Sequence, residues 1–145
     1  MLKSQKRKFK ENNLDIRFRY VFFGQALINM NKYIFTSDRL GFRTWNKNDI
    51  PQMSQINNDD EVMAFFPKKP TEADTCFFIE QMQDIFSRRG FCYFAVEVLH
   101  PREFIGFIGL SEKTFESDFT PCVDIGWRLK RSAWNKGFAT EGAKA

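Results

Sequence analysis

The chain lacks the residues on which several common kinds of site depend. Its 145 residues include one histidine, His100, and three cysteines, Cys76, Cys92 and Cys122, which are widely spaced and form no C-x-x-C motif. A zinc site or a Cys–His nucleophile pair needs more of these residues at closer spacing. We therefore expect no metal ion, and we expect free thiols in a reducing compartment, which predicts a cytoplasmic protein.

Long hydrophobic runs are also missing from the chain. No stretch reaches the roughly 20 apolar residues that a membrane-spanning helix needs. Residues 20–28 are apolar and follow basic residues, but their polar lead is long and residues 29–32 make a poor cleavage context for a signal peptide. We expect no contact with a membrane.

Positive charge is concentrated at the N-terminus. The net charge is +4, yet residues 1–10 hold five of the 22 Lys and Arg residues, and the remaining 17 are set against 18 acidic residues. A basic tail on a nearly neutral body is weak evidence for nucleic-acid binding, so that function class ranks last. Residues 1–33 show no clear hydrophobic period. We predict that they are an extension of a domain spanning residues 34–145, with residues 1–29 not native to it; the alternative is a short helix that packs on the domain.

Hydrophobic residues make up 43% of the chain and include 18 Phe, which suffices for one packed core. We predict a first strand over residues 39–45, followed by a helix capped by Asn48 or Asp49. A second short helix is predicted over residues 59–66. Thr71 then begins a longer helix with a capping-box pattern. Phe78, Met82, Ile85 and Phe86 lie on one face of this helix and are predicted to pack in the core; Gly90 ends it.

The remaining pattern favours strands. Residues 91–99 and 104–110 predict an antiparallel hairpin, with His100 in its turn. A polar loop over residues 112–121 leads to a last strand over residues 122–129. Gly126 in the middle of that strand suggests a bulge or the close approach of a ligand.

The segment after the last strand predicts an anion site. Gly137 allows a tight turn whose backbone N–H groups can point at a ligand, and helix-forming residues begin at Phe138. Lys130, Arg131 and Lys136 add positive charge nearby. Taken alone, this pattern supports a phosphate site no better than an ordinary strand-to-helix turn.

Three segments together resemble the GNAT superfamily of N-acetyltransferases, and within it the ribosomal-protein N-terminal acetyltransferases. The opening strand of that branch commonly reads Thr-x-Arg-Leu-x-Leu-Arg, and residues 36–43 read Thr-Ser-Asp-Arg-Leu-Gly-Phe-Arg. Its fourth strand commonly reads Glu-Ile-Gly-Tyr, and residues 124–127 read Asp-Ile-Gly-Trp. Its acyl-CoA loop often reads Trp-Gly-Lys-Gly-Tyr-Ala-Thr-Glu, and residues 134–141 read Trp-Asn-Lys-Gly-Phe-Ala-Thr-Glu. The resemblance implies an α/β (α+β) fold, with a mixed, mainly antiparallel twisted sheet and flanking helices.

The resemblance also implies a reaction and its residues. Acetyl-CoA would be the cosubstrate, and a primary amine, on a protein N-terminus or a small molecule, would attack its thioester directly. Asp124 matches an acidic position that can draw a proton from the amine; the alternative is an ordinary strand carboxylate. Backbone groups of Trp127, Arg128 and Leu129 would pair with the pantetheine arm. The pyrophosphate would lie against the loop formed by Trp134, Asn135, Lys136, Gly137, Phe138, Ala139 and Thr140.

Two departures from the family pattern bear on these expectations. Asn135 stands where Gly is usual. The family also continues with a fifth strand, a fourth helix that often supplies a Tyr as general acid, and a closing hairpin, so we expect a chain that lacks those elements. The last strand would then be an exposed edge able to pair with a second copy. The alternative to an active enzyme is a non-catalytic remnant with at most partial CoA binding.

Overall fold

The computed structural model describes residues 32–145, of which residues 34–145 form one compact unit. Residues 1–31 lie outside the described residues, so the prediction of an N-terminal extension is not tested there. The strands are β1 (Phe35–Thr36), β2 (Leu40–Arg43), β3 (Tyr93–Val98), β4 (Glu103–Lys113) and β5 (Cys122–Leu129). The helices are α1 (Asp49–Asn58), α2 (Glu72–Arg89) and α3 (Phe138–Lys144), and a single 3₁₀ turn (Arg131–Ala133) follows β5.

The five strands form one sheet in chain order, β1-β2-β3-β4-β5, and every neighbouring pair is antiparallel. Helices cover both faces of the sheet. Phe107 of β4 contacts Phe78 of α2, with ring centroids 5.2 Å apart. The next residue, Ile108, faces the other way and lies under α3, where a Cβ on Gly142 would be 2.5 Å from its Cδ1. This confirms the predicted fold class of a mainly antiparallel sheet with flanking helices.

Helix α2 matches its prediction closely. The Thr71 hydroxyl oxygen accepts from the Asp74 amide at 3.1 Å, and the Asp74 carboxylate accepts from the Thr71 amide at 2.9 Å, which completes the capping box. Gly90 ends the helix with φ of 76°. Met82 is buried at 4% exposure, and Phe78 packs against the core from a partly buried position. The predicted apolar stripe is therefore confirmed as core packing.

Residues 35–49, which begin the described sheet and helix α1, differ from their prediction in two ways. The first strand is shorter, spanning Leu40–Arg43, and the two-residue strand β1 precedes it. The side chain of Asn48 makes no capping hydrogen bond to α1. Asp49 does not cap the helix either, because its buried carboxylate binds the guanidinium of Arg43 at 2.7 Å. The Asp49 carboxylate is thus taken up by Arg43 and by the Asn46 amide, which donates to it at 2.8 Å.

The predicted short helix over residues 59–66 is wrong, because this segment is a succession of turns. The Asp59 side chain accepts hydrogen bonds from the amides of Glu61 and Val62, at 3.0 and 3.3 Å. These bonds resemble those of an N-cap, but the backbone bonds that follow, from Ala64 to Glu61 and from Phe66 to Met63, span three residues and close turns. Phe65 is 98% exposed, so the segment also lacks a continuous apolar face to bury.

Strand β5 forms the edge of the described sheet and has an exposed apolar face. Val123, Ile125 and Trp127 are each about half exposed, at 54%, 46% and 52%. The predicted bulge at Gly126 is absent, because the register with β4 runs unbroken from Cys122 to Leu129. The close approach at Gly126 comes from within the fold: a Cβ there would lie 2.9 Å from the hydroxyl oxygen of Tyr93.

Candidate functional site

The backbone of β5 presents hydrogen-bonding groups along an edge with which no other strand of residues 32–145 pairs. Lys130 donates its amide to the Ile105 carbonyl in β4 at 2.9 Å. Because strand residues alternate in the direction of their N–H and C=O groups, those of Arg128 also point toward β4, and those of Trp127 and Leu129 point outward. The Leu129 carbonyl accepts from the Trp134 indole at 2.8 Å. The backbone N–H and C=O of Trp127 and the N–H of Leu129 therefore remain available to an added strand. The backbone groups of Arg128 are not available, because they point toward β4.

The loop after β5 turns through two left-handed residues. Asn135 has φ of 59° and Gly137 has φ of 77°. Asn is one of the few residues besides Gly that adopts this conformation routinely, which explains how it stands at a position where glycine is usual. The backbone hydrogen bonds within residues 32–145 leave the N–H groups of residues 135–140 without an acceptor. The loop therefore concentrates backbone donors at the beginning of α3.

A cleft of about 370 Å³ lies between the outer face of β5 and this loop. It joins the apolar edge of the sheet to the N–H donors, so it offers both a hydrophobic wall and an anion-binding end. Most of the loop and strand residues predicted to bind the cofactor line it, whereas Arg128 and Lys136 do not. The lining residues are Trp127, Leu129, Ala133, Trp134, Asn135, Gly137, Phe138, Ala139 and Thr140.

Arg39, in the turn before β2, holds this loop in place. Its guanidinium donates to the Lys136 carbonyl at 3.0 Å and to the Glu141 carboxylate at 2.7 Å, and it lies 4.6 Å from the centre of the Phe138 ring. The other carboxylate oxygen of Glu141 accepts from the Arg39 amide at 2.8 Å and from the Ser37 hydroxyl at 2.7 Å. Arg39 and Glu141 therefore join the first hairpin to both ends of the candidate cofactor loop.

We expect Glu141→Gln to weaken the fold by about 1 kcal/mol at neutral pH, because it removes the charge from several hydrogen bonds at once. Partial burial raises the pKa of Glu141, but the hydrogen bonds from Ser37 and Arg39 outweigh that effect, so the pKa lies below its ordinary 4.5. A lowered pKa means that this stabilisation is complete above pH 4.5 and is lost as the pH falls through the pKa of the folded state.

Urea unfolding of the wild type and of Glu141→Gln at pH 7 and near pH 3 measures the difference. The gap between the two proteins should narrow in acid, because a protonated glutamate resembles glutamine. Glu116→Gln, on an exposed loop, is the control and should show no gap at either pH. A gap that is the same at both pH values would contradict the role given to the carboxylate.

Asp124 lies on the opposite face of β5 from Trp127 and beside two polar groups. The Tyr93 hydroxyl donates to one carboxylate oxygen at 2.5 Å, and the Lys113 ammonium lies 3.6 Å from the other. Burial, with a further contribution from Asp124, raises the pKa of Tyr93, so this hydroxyl keeps its proton and remains a donor. The arrangement fixes the Asp124 carboxylate while leaving its side chain 40% exposed.

The structure thus separates the predicted residues into two groups on β5. Trp127, Leu129 and the loop form the cleft, and Asp124 faces the side of the sheet covered by α2. Tyr93 was not identified from the sequence, although a tyrosine within an apolar strand signals a hydroxyl that needs a partner.

Cys92 has the character of a core residue. It is buried at 1% exposure, and burial raises the pKa of its thiol to about 12. The thiol is therefore protonated at neutral pH and is not a nucleophile. Within residues 32–145 no group of three or more His, Cys, Asp or Glu side chains is placed to hold a metal ion, and no helix in this part of the chain is long and apolar enough to cross a bilayer.

Comparison with known proteins bears on the same residues. The family model described as the acetyltransferase (GNAT) domain matches residues 39–145. Among solved structures, a GNAT-family acetyltransferase from Bacillus anthracis is 25% identical with a TM-score of 0.60, over 76% of this chain and 61% of that one.

Two further structures share the fold at lower identity. A ribosomal L7/L12 alpha-N-protein acetyltransferase in complex with coenzyme A is 17% identical with a TM-score of 0.57, over 78% of this chain and 64% of that one. A spermidine N-acetyltransferase from Vibrio cholerae, in complex with CoA and spermine, is 19% identical with a TM-score of 0.50, over 69% and 56%. The chain spans less than two thirds of the length of each of these three structures.

Proposed function

Because this chain belongs to the GNAT acetyltransferase family, we propose that it binds acetyl-CoA along β5 and transfers the acetyl group to a primary amine. One observation carries the proposal: outward backbone groups of β5 lead directly into a loop with unused N–H donors. A pantetheine arm can add to Trp127 and Leu129 as a short strand would. The CoA pyrophosphate can then accept from the amides of residues 135–140 at the beginning of α3.

The proposed reaction is direct attack of the amine on the thioester. The uncharged amine forms a bond to the carbonyl carbon, its proton passes to Asp124, and the tetrahedral intermediate expels the CoA thiolate. Tyr93 supports this role because its hydrogen bond fixes the Asp124 carboxylate. The acceptor is an amine of a protein N-terminus or of a small molecule; the structurally similar proteins carry names of both kinds.

Binding of acetyl-CoA is the first test. We expect calorimetry of the full chain to show one molecule bound per chain and competition by CoA itself. A folded preparation that binds neither would remove the proposal. Binding without acetylation of the amines tested would instead favour the second candidate, a protein that binds CoA without catalysing transfer. Self-association through the edge of β5 and a cytoplasmic location stay predictions.

Asp124→Asn tests the proposed base. We expect kcat/KM for acetylation to fall about 100-fold or more, since positioned general bases contribute roughly that much, while the affinity for acetyl-CoA stays unchanged. Asp118→Asn makes the same change of charge on the exposed loop before β5 and should leave both quantities unchanged. A full-rate Asp124→Asn enzyme would assign the carboxylate a structural role only.

A further inference from the structure

Arg128 is a partly buried arginine with few partners within residues 32–145. Its side chain lies on the Asp124 face of β5, where the guanidinium carbon is 4.3 Å from the centre of the Phe66 ring and 5.7 Å from that of Phe107. One terminal nitrogen donates to the Asn57 side chain at 2.7 Å. The Nε atom is buried and has no hydrogen-bond partner. A group that carries five N–H donors therefore makes one hydrogen bond within residues 32–145.

The two basic residues that follow Arg128 most closely in the sequence have acidic partners, and Arg128 has none in the described part of the chain. Lys130 pairs with Glu103, and Arg131 pairs with Glu61. Burial of Arg128 without such a partner lowers its pKa. Even a partly buried cation without a counter-charge is costly to a fold, and such a cation is expected at a site that binds an anionic ligand.

The surroundings of Arg128 favour a planar anion. The Phe66 and Phe107 rings pack on the guanidinium and restrict its orientation, and Asn57, which also donates to Thr75 at 3.0 Å, fixes one edge. Carboxylates bind arginine through two parallel hydrogen bonds in the plane of the fork. Phe66, which packs over the guanidinium, belongs to the turn segment 59–66 and is 46% exposed. A ligand that approaches the guanidinium from this side would therefore contact that segment.

We propose that Arg128 binds a carboxylate of the amine acceptor and so selects peptides whose N-terminus is followed by acidic residues. This rests on the proposed function, in which Asp124 takes the amine proton. Arg128 follows Asp124 by four residues on the same strand face, a separation of about 13 Å at roughly 3.3 Å per residue. An extended peptide spans that distance in about four residues. The acceptor amine therefore lies at Asp124 while a side-chain carboxylate at its third or fourth position reaches Arg128.

The test compares two peptides with free α-amines and amidated C-termini, Ala-Ala-Glu-Glu-amide and Ala-Ala-Gln-Gln-amide, so that only side chains supply carboxylates. Each is titrated into the full chain and followed by calorimetry. Wild-type protein should bind the acidic peptide about tenfold more tightly, as expected for charge-assisted hydrogen bonds to a partly buried arginine. Arg128→Gln should bind both peptides equally. Arg128→Lys keeps the charge without the planar fork and should retain only part of the preference.

Arg88→Gln, which removes an exposed arginine from α2, is the matched control and should keep the full preference. Thermal unfolding shows whether each variant is folded, and Arg128→Lys serves if Arg128→Gln is not. The proposal is overturned if the wild type binds neither peptide, if it shows no preference, or if Arg128→Gln retains one. Acetyl-CoA titration of the same proteins judges the proposed function separately, because Arg128→Gln should leave that affinity within about twofold of wild type.

Discussion

Arg43→Met is expected to lower the free energy of unfolding by about 3–5 kcal/mol, because removing one member of a buried ion group leaves charges uncompensated. Arg43, Asp49 and Glu97 are each buried, at 6%, 1% and 6% exposure. The guanidinium lies 2.7 Å from both carboxylates. Burial alone would lower the pKa of Arg43, but its bonds to the two acids outweigh that effect and raise it.

Urea unfolding measures this loss, and Arg88→Met provides the comparison. Arg88 pairs with Asp84 on the surface of α2, at 2.6 Å but with more than half of each side chain exposed. Exposed pairs of this kind contribute little, so the control should unfold almost as the wild type does. If Arg43→Met were no less stable than Arg88→Met, the buried ion group would not hold β2 to α1 and β3 as the structure indicates.

The proposed site predicts that Gly137→Val reduces the affinity for acetyl-CoA at least tenfold. Gly137 has φ of 77°, a conformation that costs an L-residue about 1–2 kcal/mol and a β-branched residue more. Relief of that strain would turn the N–H groups of residues 135–140 away from the pyrophosphate. Space is not the limitation, because a Cβ there would meet only the Arg39 guanidinium, at 3.5 Å.

Gly90→Val is the matched control for this prediction. Gly90 has φ of 76° at the end of α2, and a Cβ there would meet nothing within 4 Å. Both variants should lose similar stability in thermal unfolding, because their backbone strain is the same. Only Gly137→Val should lose affinity for acetyl-CoA in calorimetry. Equal affinities for the two variants would show that the loop conformation does not serve the cofactor.

Local signals allowed much of the fold to be predicted from the sequence. The capping box at Thr71, the stop at Gly90 and the apolar runs of β3 and β4 lie within a few residues of the structure that they specify. The ion group could not be predicted in the same way, because Arg43 and Glu97 are 54 positions apart and each sits in a strand of otherwise apolar pattern. The helix predicted over residues 59–66 does not form, because the segment has no continuous apolar face to bury: Phe65 is 98% exposed.

The candidate site shows the same division between local and distant information. Its loop could be predicted because Gly137 and the residues that begin α3 are contiguous. The direction of the backbone groups of Arg128 could not, since it depends on which residues of β4 pair with β5. The ion pair between Glu141 and Arg39 could not be predicted either, because the two residues are 102 positions apart.

The 102 positions between Arg39 and Glu141 also determine the order in which parts of the domain can form during synthesis of the chain. Ser37 and Arg39 leave the ribosome about 5–20 s before Glu141, at the usual elongation rates of roughly 5–20 residues per second. The first hairpin and the helices α1 and α2 can form in that interval, but the loop at Gly137 lacks the bonds from Ser37 and Arg39 to the Glu141 carboxylate until Glu141 reaches the turn before β2. Among the described residues, the cleft beside β5 is therefore the last part to form, after the hairpin and helices that hold its loop are already in place.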